Sequence, residues 1–367
     1  GVARSPDLNG ARTEGVDFVQ VTQKNGVRQS AASAYLEGAL KRKNLTLIAN
    51  AQVTRILFDG KRAAGVDYVQ HGRRASIRAR RGIVVSGGAV NSPRLLMLSG
   101  IGPAAHLREM GIEILADLPG VGENLQDHPG AQLALDVNVP TLNTDARGFG
   151  ALKQALEFAF ARKGLLAASL GHAHAFVRTR AGLSGPNAHL IFSAYALDLD
   201  QDGHLIMRKQ DSVSTYAHVC HPKARGSVRL RTPDPLEAPR IQHAILGHED
   251  DLETLIEALE CARAIAARPP LARRIAGEAR PGSHASNKEG LRTYLRQAAT
   301  ASYDAAGTCR MGAGPMAVVD PELKVSGVEG LWVADASIMP SLTAGGANAT
   351  AIMIGEKGAD LVKAALG

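Results

Sequence analysis

Residues 81–102 read R-G-I-V-V-S-G-G-A-V-N-S-P-R-L-L-M-L-S-G-I-G, and the fold is decided there. Ile83, Val84 and Val85 form a short apolar run of strand type, which Ser86-Gly87-Gly88 interrupts. Asn91 or Ser92 is placed to cap a short helix with Pro93 in its first turn, and Gly100 is placed to close it. A strand that feeds a glycine turn and a helix N-terminus offers backbone N–H groups to an anionic ligand. Many α/β folds make the same turn without binding anything.

Upstream, the first forty residues are loop-rich and end in R-Q-S-A-A-S-A-Y-L-E-G-A-L-K-R. Their apolar spacing predicts a helix with Ser30 as N-cap. A β-rich block follows, with strands expected at 45–48, 53–58, 64–69 and 75–80 and a turn at Asp59-Gly60. Downstream, D-L-P-G-V-G-E-N-L-Q-D-H-P-G (117–130) reads as a long polar loop, and the texture then changes. A helix is expected over 151–162, then strands at H-A-H-A-F-V-R-T (172–179), A-H-L-I-F-S-A-Y-A-L (188–197) and S-V-R-L-R-T (227–232). A helix over 250–267 completes a sheet with helices on one face, an α+β lobe. From 330 the chain returns to an apolar strand, Leu331 to Ala334, ending at Asp335. The T-A-G-G-A-N loop and a closing helix from about 349 to 366 follow. The class expected is α/β plus α+β.

The chain has 367 residues, enough for two domains, with 45% apolar and 21% charged residues as in ordinary soluble proteins. Aromatic residues make up 4%, too few for base-stacking platforms. The net charge of +7 raises nucleic acid as a partner. The cations are scattered, however, with clusters no longer than Arg78-Ala79-Arg80-Arg81, so a solvated basic surface is expected and no nucleic-acid role. Salt-sensitive retention on nucleic acid is the behaviour an anion-binding reading would require. Cys220, Cys261 and Cys309 are widely spaced and odd in number, which fits reduced thiols in a cytoplasmic protein. No run of ~18 uncharged apolar residues occurs, so no membrane span is expected.

The run 88–102 resembles the second signature of the glucose–methanol–choline (GMC) flavoprotein oxidoreductases. G-V-R-Q-S-A-A-S-A-Y-L (26–36), V-G-E-N-L-Q-D-H-P (121–129) and G-T-C-R-M-G (307–312) extend the match. V-D-P-E-L-K-V-S-G-V-E-G-L-W-V-A-D-A-S-I-M-P (319–340) and I-M-I-G-E-K-G-A-D-L (352–361) complete it. The resemblance covers nearly the whole chain and is closest to the branch of choline and other alcohol dehydrogenases. It implies FAD as cofactor and a small-molecule alcohol oxidised to an aldehyde by hydride transfer to flavin. Electrons would leave to an acceptor such as a quinone. It implies an FAD-binding domain at 1–130 and 304–367, and a substrate lobe on an antiparallel sheet at 131–303. It places the backbone of Val53 at the adenine and Ala89 near the cofactor. Asp335 and Ala336 fall at the ribityl–pyrophosphate region, and Gly346, Ala347, Asn348 and Ala349 beside the flavin ring. The closing helix would aim its positive end at that ring. From the residues alone, Asp335 also reads as a capping acid.

Two departures stand out. The family opens with a strand, G-x-G-x-x-G and a helix, and nothing of that form precedes Gly26. The chain therefore reads as the remainder of an FAD-binding domain, with cofactor affinity weakened or lost. The family also carries a His after the Tyr of Y-H-P-x-G-T-C-R-M-G as base, and a His or Asn in a later G-N-x-N loop as hydrogen-bond donor. Here those slots are Asp304 and Gly346. A carboxylate, with a reference pKa near ~3.9 against ~6.5 for imidazole, pulls a proton with less driving force. Losing a donor side chain costs ~100-fold or more in rate. A catalytically impaired pseudoenzyme serving as a binding or structural module is thus the competing expectation. Elsewhere, His172 and His174 share i, i+2 spacing without a third ligand, so no metal is expected. His172 stands where choline-using members are expected to have an acid. Cys309 reads as a packed thiol and His128 as a loop-ordering residue. His218 and His221 flank Cys220 by coincidence.

Overall fold

The computed structural model describes residues 2–169, 171–200, 202 and 204–367. Ile83–Val85 is a strand, and it pairs in parallel with Leu331–Val333, residue for residue from Ile83↔Leu331 to Val85↔Val333. The helix behind it spans Gly88–Leu98, starting earlier than the expected Asn91 or Ser92 cap. The reason is Gly88, whose φ of +76° lets the chain turn from strand to helix without a side-chain clash.

Pro93 therefore lies inside the helix. It has no N–H to give the carbonyl of Ala89, one turn back, which is left without its helical donor. The hydroxyl of Thr308, fully buried, donates to that oxygen at 2.6 Å. The G-T-C-R-M-G segment thus repairs the ladder that the N-S-P segment breaks.

The chain divides into two compact units, and the partition runs differently from the expected 1–130/304–367 and 131–303. One comprises Gly1–Leu45, Pro129–Cys220 and Glu249–Thr300; the other comprises Thr46–His128, His221–His248 and Ala301–Gly367. The N-terminal residues join the first unit because Gly15–Phe18 is an edge strand of its sheet.

That sheet's main path runs Gly15–Phe18, Ala173–Val177, Ala188–Ser193, Ser212–Val219, Pro129–Val137, Ile275–Arg280, each pair antiparallel. The helix Glu249–Ala266 packs on the three central strands. It buries Leu252, Leu255, Ile256 and Leu259, each worth about 1.5–3 kcal/mol of burial. The antiparallel lobe is as expected, but three of its strands, 129–137, 212–219 and 275–280, carry no clear strand pattern. Conversely, S-V-R-L-R-T yields Ser227–Arg229, which pairs with Arg240–Gln242 in a separate hairpin of the other unit. Near the N-terminus, Ser30 accepts the Ser33 N–H at 3.1 Å, and a helical turn follows from Ala32. Residues 45–48 form no strand.

The second unit carries the antiparallel strands Ala51–Asp59, Arg62–Gln70 and Arg73–Arg78 beside the parallel pair. Its core joins Ile56, Leu96, Met97, Ile101, Leu107, Val319, Trp332 and Val333. The closing helix spans Ala347–Leu366. No described helix is long and apolar enough to cross a membrane.

The near-isosteric Thr308→Val should leave the Ala89 carbonyl buried and unpaired. A stability loss of about 1–3 kcal/mol is expected, with Thr308→Ser close to wild type. Urea unfolding midpoints measure both, and equal stability of the Val variant would refute the repair.

Candidate active site

The stretch 117–130, expected as a long polar loop, is part of the second unit as far as His128, and Val121, Leu125, Gln126 and His128 are all buried. Its backbone runs antiparallel to 302–306. Gln126 and Ala306 exchange both backbone bonds at 3.0 Å, and Ser302 N–H donates to His128 O at 3.1 Å. The same downstream segment lies against 336–338, with N–H groups of Gly307, Cys309 and Met311 donating to Ala336, Ser337 and Ile338 at 3.2, 2.8 and 2.7 Å. Gly307 is required there: its φ is +93°, and a Cβ would come within 2.5 Å of the Asn124 carbonyl oxygen.

This weave brings Asp304, Gly346, Ala347 and His128 together. Ala347 N–H, at the first residue of the closing helix, donates to Asp304 Oδ1 at 2.8 Å. His128 Nδ1 lies 3.0 Å from Asp304 Oδ2, and His128 Nε2 lies 3.0 Å from Thr343 O. A Cβ on Gly346 would stand 3.7 Å from both Asp304 oxygens, so the two exchanged positions face each other. The His128 side chain is fully buried and that of Asp304 is 16% exposed. His128, expected only to order its loop, is thus a partner of the candidate base. The residue was visible in L-Q-D-H-P, but its register against 302–306 was not. Tyr303, just before Asp304, takes a left-handed φ of +64° and leaves its ring exposed. Such a conformation costs a non-glycine residue roughly 1–2 kcal/mol. It turns the chain so that Asp304 faces inward.

Asp127 supports the arrangement from below. Its Oδ1 accepts the N–H groups of Ser302 and Asp304 at 3.1 and 3.0 Å. Burial pushes its carboxyl above the usual range and the Asp304 charge adds to this, while backbone hydrogen bonds from Asp304 and His128 offset part of it. His221 sits close by, and burial holds its imidazole below its ordinary value, with the charge of His128 acting in the same direction.

The cofactor-contact expectations fall in a linked arrangement. Val53 stands at a bulge in its edge strand, where the register shifts before Arg55. It lines a mostly apolar cleft of about 290 Å³ with Val66, Ile83, Val85, Gly87 and Leu98. Ala89 is buried behind that turn, its carbonyl taken by Thr308. The Asp335 carboxylate is engaged on both oxygens. Oδ2 accepts Gly88 N–H at 2.9 Å and the Ser92 hydroxyl at 2.5 Å, and Oδ1 accepts Ser337 N–H at 2.7 Å. Its side chain braces the glycine turn, and the backbone of Asp335 and Ala336 is carried beside it. Asn348 and Ala349 are exposed at the start of the closing helix. Cys309 is fully buried, and burial, then the Asp335 charge, push its thiol far up, as a packed thiol requires. In the other unit, His174 bonds His189 at 3.1 Å, and His189 bonds His218 at 2.8 Å. His172 instead accepts Ala194 N–H through its Nδ1.

Two family models described as GMC oxidoreductase match the chain, at residues 1–130 and 222–355. The N-terminal model matches from residue 1, so the expectation that an N-terminal segment is lacking gains no support from it. An oxygen-dependent choline dehydrogenase of Brucella canis is 40% identical over 98% of this chain and 65% of its own length. An alcohol dehydrogenase [acceptor] of Pseudomonas putida is 38% identical over 97% and 65%. The crystal structure of pyridoxine 4-oxidase from Mesorbium loti superposes with a TM-score of 0.84 at 29% identity, covering 98% of this chain and 66% of that one. The chain spans about two thirds of the length of these relatives, 65% for both dehydrogenases.

Asp127 binds its proton more tightly in the folded than in the unfolded chain. Its contribution to stability is therefore present below the unfolded value near ~3.9 and lost as pH rises through the raised folded value. Asp127→Asn keeps an oxygen for both N–H groups and carries no charge. Its stability relative to wild type should rise from about pH 4 to pH 7 in denaturant titrations. A pH-independent difference would contradict the assignment.

Proposed function

The chain belongs to the GMC oxidoreductase family, and from that premise we propose that it serves FAD-dependent oxidation of a small alcohol to an aldehyde, with Asp304 as the base. The observation that carries this reading is the contact of Asp304 with the start of the closing helix, directly across from Gly346. The positions at which the resemblance puts the family's base and its partner are neighbours here, which supports the reading although both residues have changed. The names of the relatives support an alcohol as substrate class, and they name oxygen in one case and an unspecified acceptor in the other; a separate acceptor such as a quinone is part of our proposal. We place the protein in a reducing, cytoplasmic setting, in keeping with three cysteines that form no disulfide with one another.

The residues present fit the cofactor. The apolar cleft at Val53 and Gly87 suits a flat heteroaromatic ring such as adenine. The Ala336 backbone and the free first-turn N–H groups of Asn348 and Ala349 would serve the ribityl chain and the ring. FAD, when bound, supplies the acceptor for the hydride. Asp304 accepts the hydroxyl proton, and its fixed bond from Ala347 N–H keeps the carboxylate oriented as it does so. The sheet unit is the substrate-binding part on this reading.

A second reading, a binding module without turnover, is favoured by one observation. The Ala347 N–H that a cofactor or oxyanion would use is already taken by Asp304, and Gly346 offers no side chain in its place.

Purified protein incubated with FAD should retain a visible flavin band, which alcohols should bleach anaerobically in stopped flow. Asp304→Asn should slow that bleaching by roughly 10²–10⁴-fold. A folded protein that stays colourless after FAD loading selects the module reading instead.

A further inference from the structure

The hydrogen bonds around His128 fix its protons. Thr343 O is a carbonyl and can only accept, so His128 Nε2 carries hydrogen and donates to it at 3.0 Å. Only one proton then remains to be placed, between His128 Nδ1 and Asp304 Oδ2. Placed on nitrogen, it gives an imidazolium beside a carboxylate; placed on oxygen, it gives a neutral pair. The environment of Asp304 selects between them. Its other oxygen accepts Ala347 N–H at 2.8 Å, at the positive end of the twenty-residue helix Ala347–Leu366, where a negative charge is stabilised.

We propose that His128 is held as an imidazolium behind an ionised Asp304, and that this buried cation is the positioning residue that lets a carboxylate act where the family uses histidine. The proposal rests on the reading of Asp304 as base. Its consequence is electrostatic. Before reaction the pair is neutral overall, as a neutral histidine base would be. When the alcohol O–H bond breaks, an O–H bond forms on Asp304 and the cation on His128 remains, so the pair becomes +1. Bound FAD would supply the acceptor for the hydrogen and two electrons of the C–H bond, which completes the balance. A protonated histidine base ends with that same charge. The exchange of His for Asp therefore conserves the charge change, because the cation has moved one residue outward.

One further acid lies beside the pair. Asp127 is bonded to the Asp304 backbone; a negative charge there favours a cation at His128 and opposes the charge on Asp304. Burial lowers the proton affinity of His221, which lies nearby.

The test uses protein labelled with 15N-histidine at neutral pH, read in the absence of flavin and again after FAD loading. Both ring nitrogens of His128, identified by the signals lost in His128→Asn, should report the doubly protonated ring. In Asp304→Asn, His128 should become neutral with hydrogen on Nε2 alone, accepting from the Asn amide at Nδ1. A neutral His128 in the wild type, or a ring unchanged by Asp304→Asn, would overturn the proposal. In the loaded enzyme, His128→Asn should lower kcat by roughly 100-fold with KM little changed. A proportionate rise in KM instead would make His128 merely structural. If the imidazolium is present but no alcohol bleaches the flavin, the pair stands and the reading of Asp304 as base is what fails.

Discussion

Three largely irregular stretches cross inside the second unit, and each must find partners for peptide groups that water cannot reach. Residues 124–128, 302–311 and 335–343 solve this by bonding to one another, with side chains acting as extra backbone. Gln126 accepts Leu342 N–H and donates to Pro340 O. Asp127 accepts two N–H groups, and Asn124 donates to Gly307 O. A buried peptide group left unpaired costs about 1–3 kcal/mol, so none of these polar residues is free to change alone. The position of the acid at 304 is a product of this crossing.

Two acids in the unit show how similar surroundings yield different uses. Asp335 meets the start of a helix on one side and a capped turn on the other, and its oxygens are spent on Gly88, Ser92 and Ser337. Asp304 also meets a helix start, but its second oxygen faces a titratable ring, and part of its surface is open. A carboxylate with fixed N–H and O–H donors is a brace. One that shares a proton with an imidazole can exchange it.

Much of this was legible in the sequence, and the losses have physical causes. The parallel pair at 83–85 and 331–333 is fully apolar and stood out, although Val84 is exposed. The closing helix did too. Ser212–Val219 (S-V-S-T-Y-A-H-V) did not, because polar residues on it are buried by pairing with strands far away in sequence. The helix start at Gly88 was missed because Pro93 is usually a first-turn residue, and its tolerance here depends on Thr308, more than two hundred positions later. At the site, the meeting of 304 and 346 followed from family motifs. The role of His128 did not, since a one-residue slip of 126–128 against 302–306 would aim the ring away.

The unit that holds the acid is assembled from three separated lengths of chain, the last beginning at Ala301. On the ribosome its first length, ending at His128, must wait while the intervening polypeptide is made. At ~5–20 residues per second that wait is on the order of ten seconds or more. During it, the segment 88–98 lacks the Thr308 hydroxyl, and His128 lacks both Asp304 and Thr343. The sheet unit has all its strands of the main path by Arg280 and can close first. Birth order therefore places the chemistry-bearing half last, and chaperone engagement should fall on the nascent chain between these two moments.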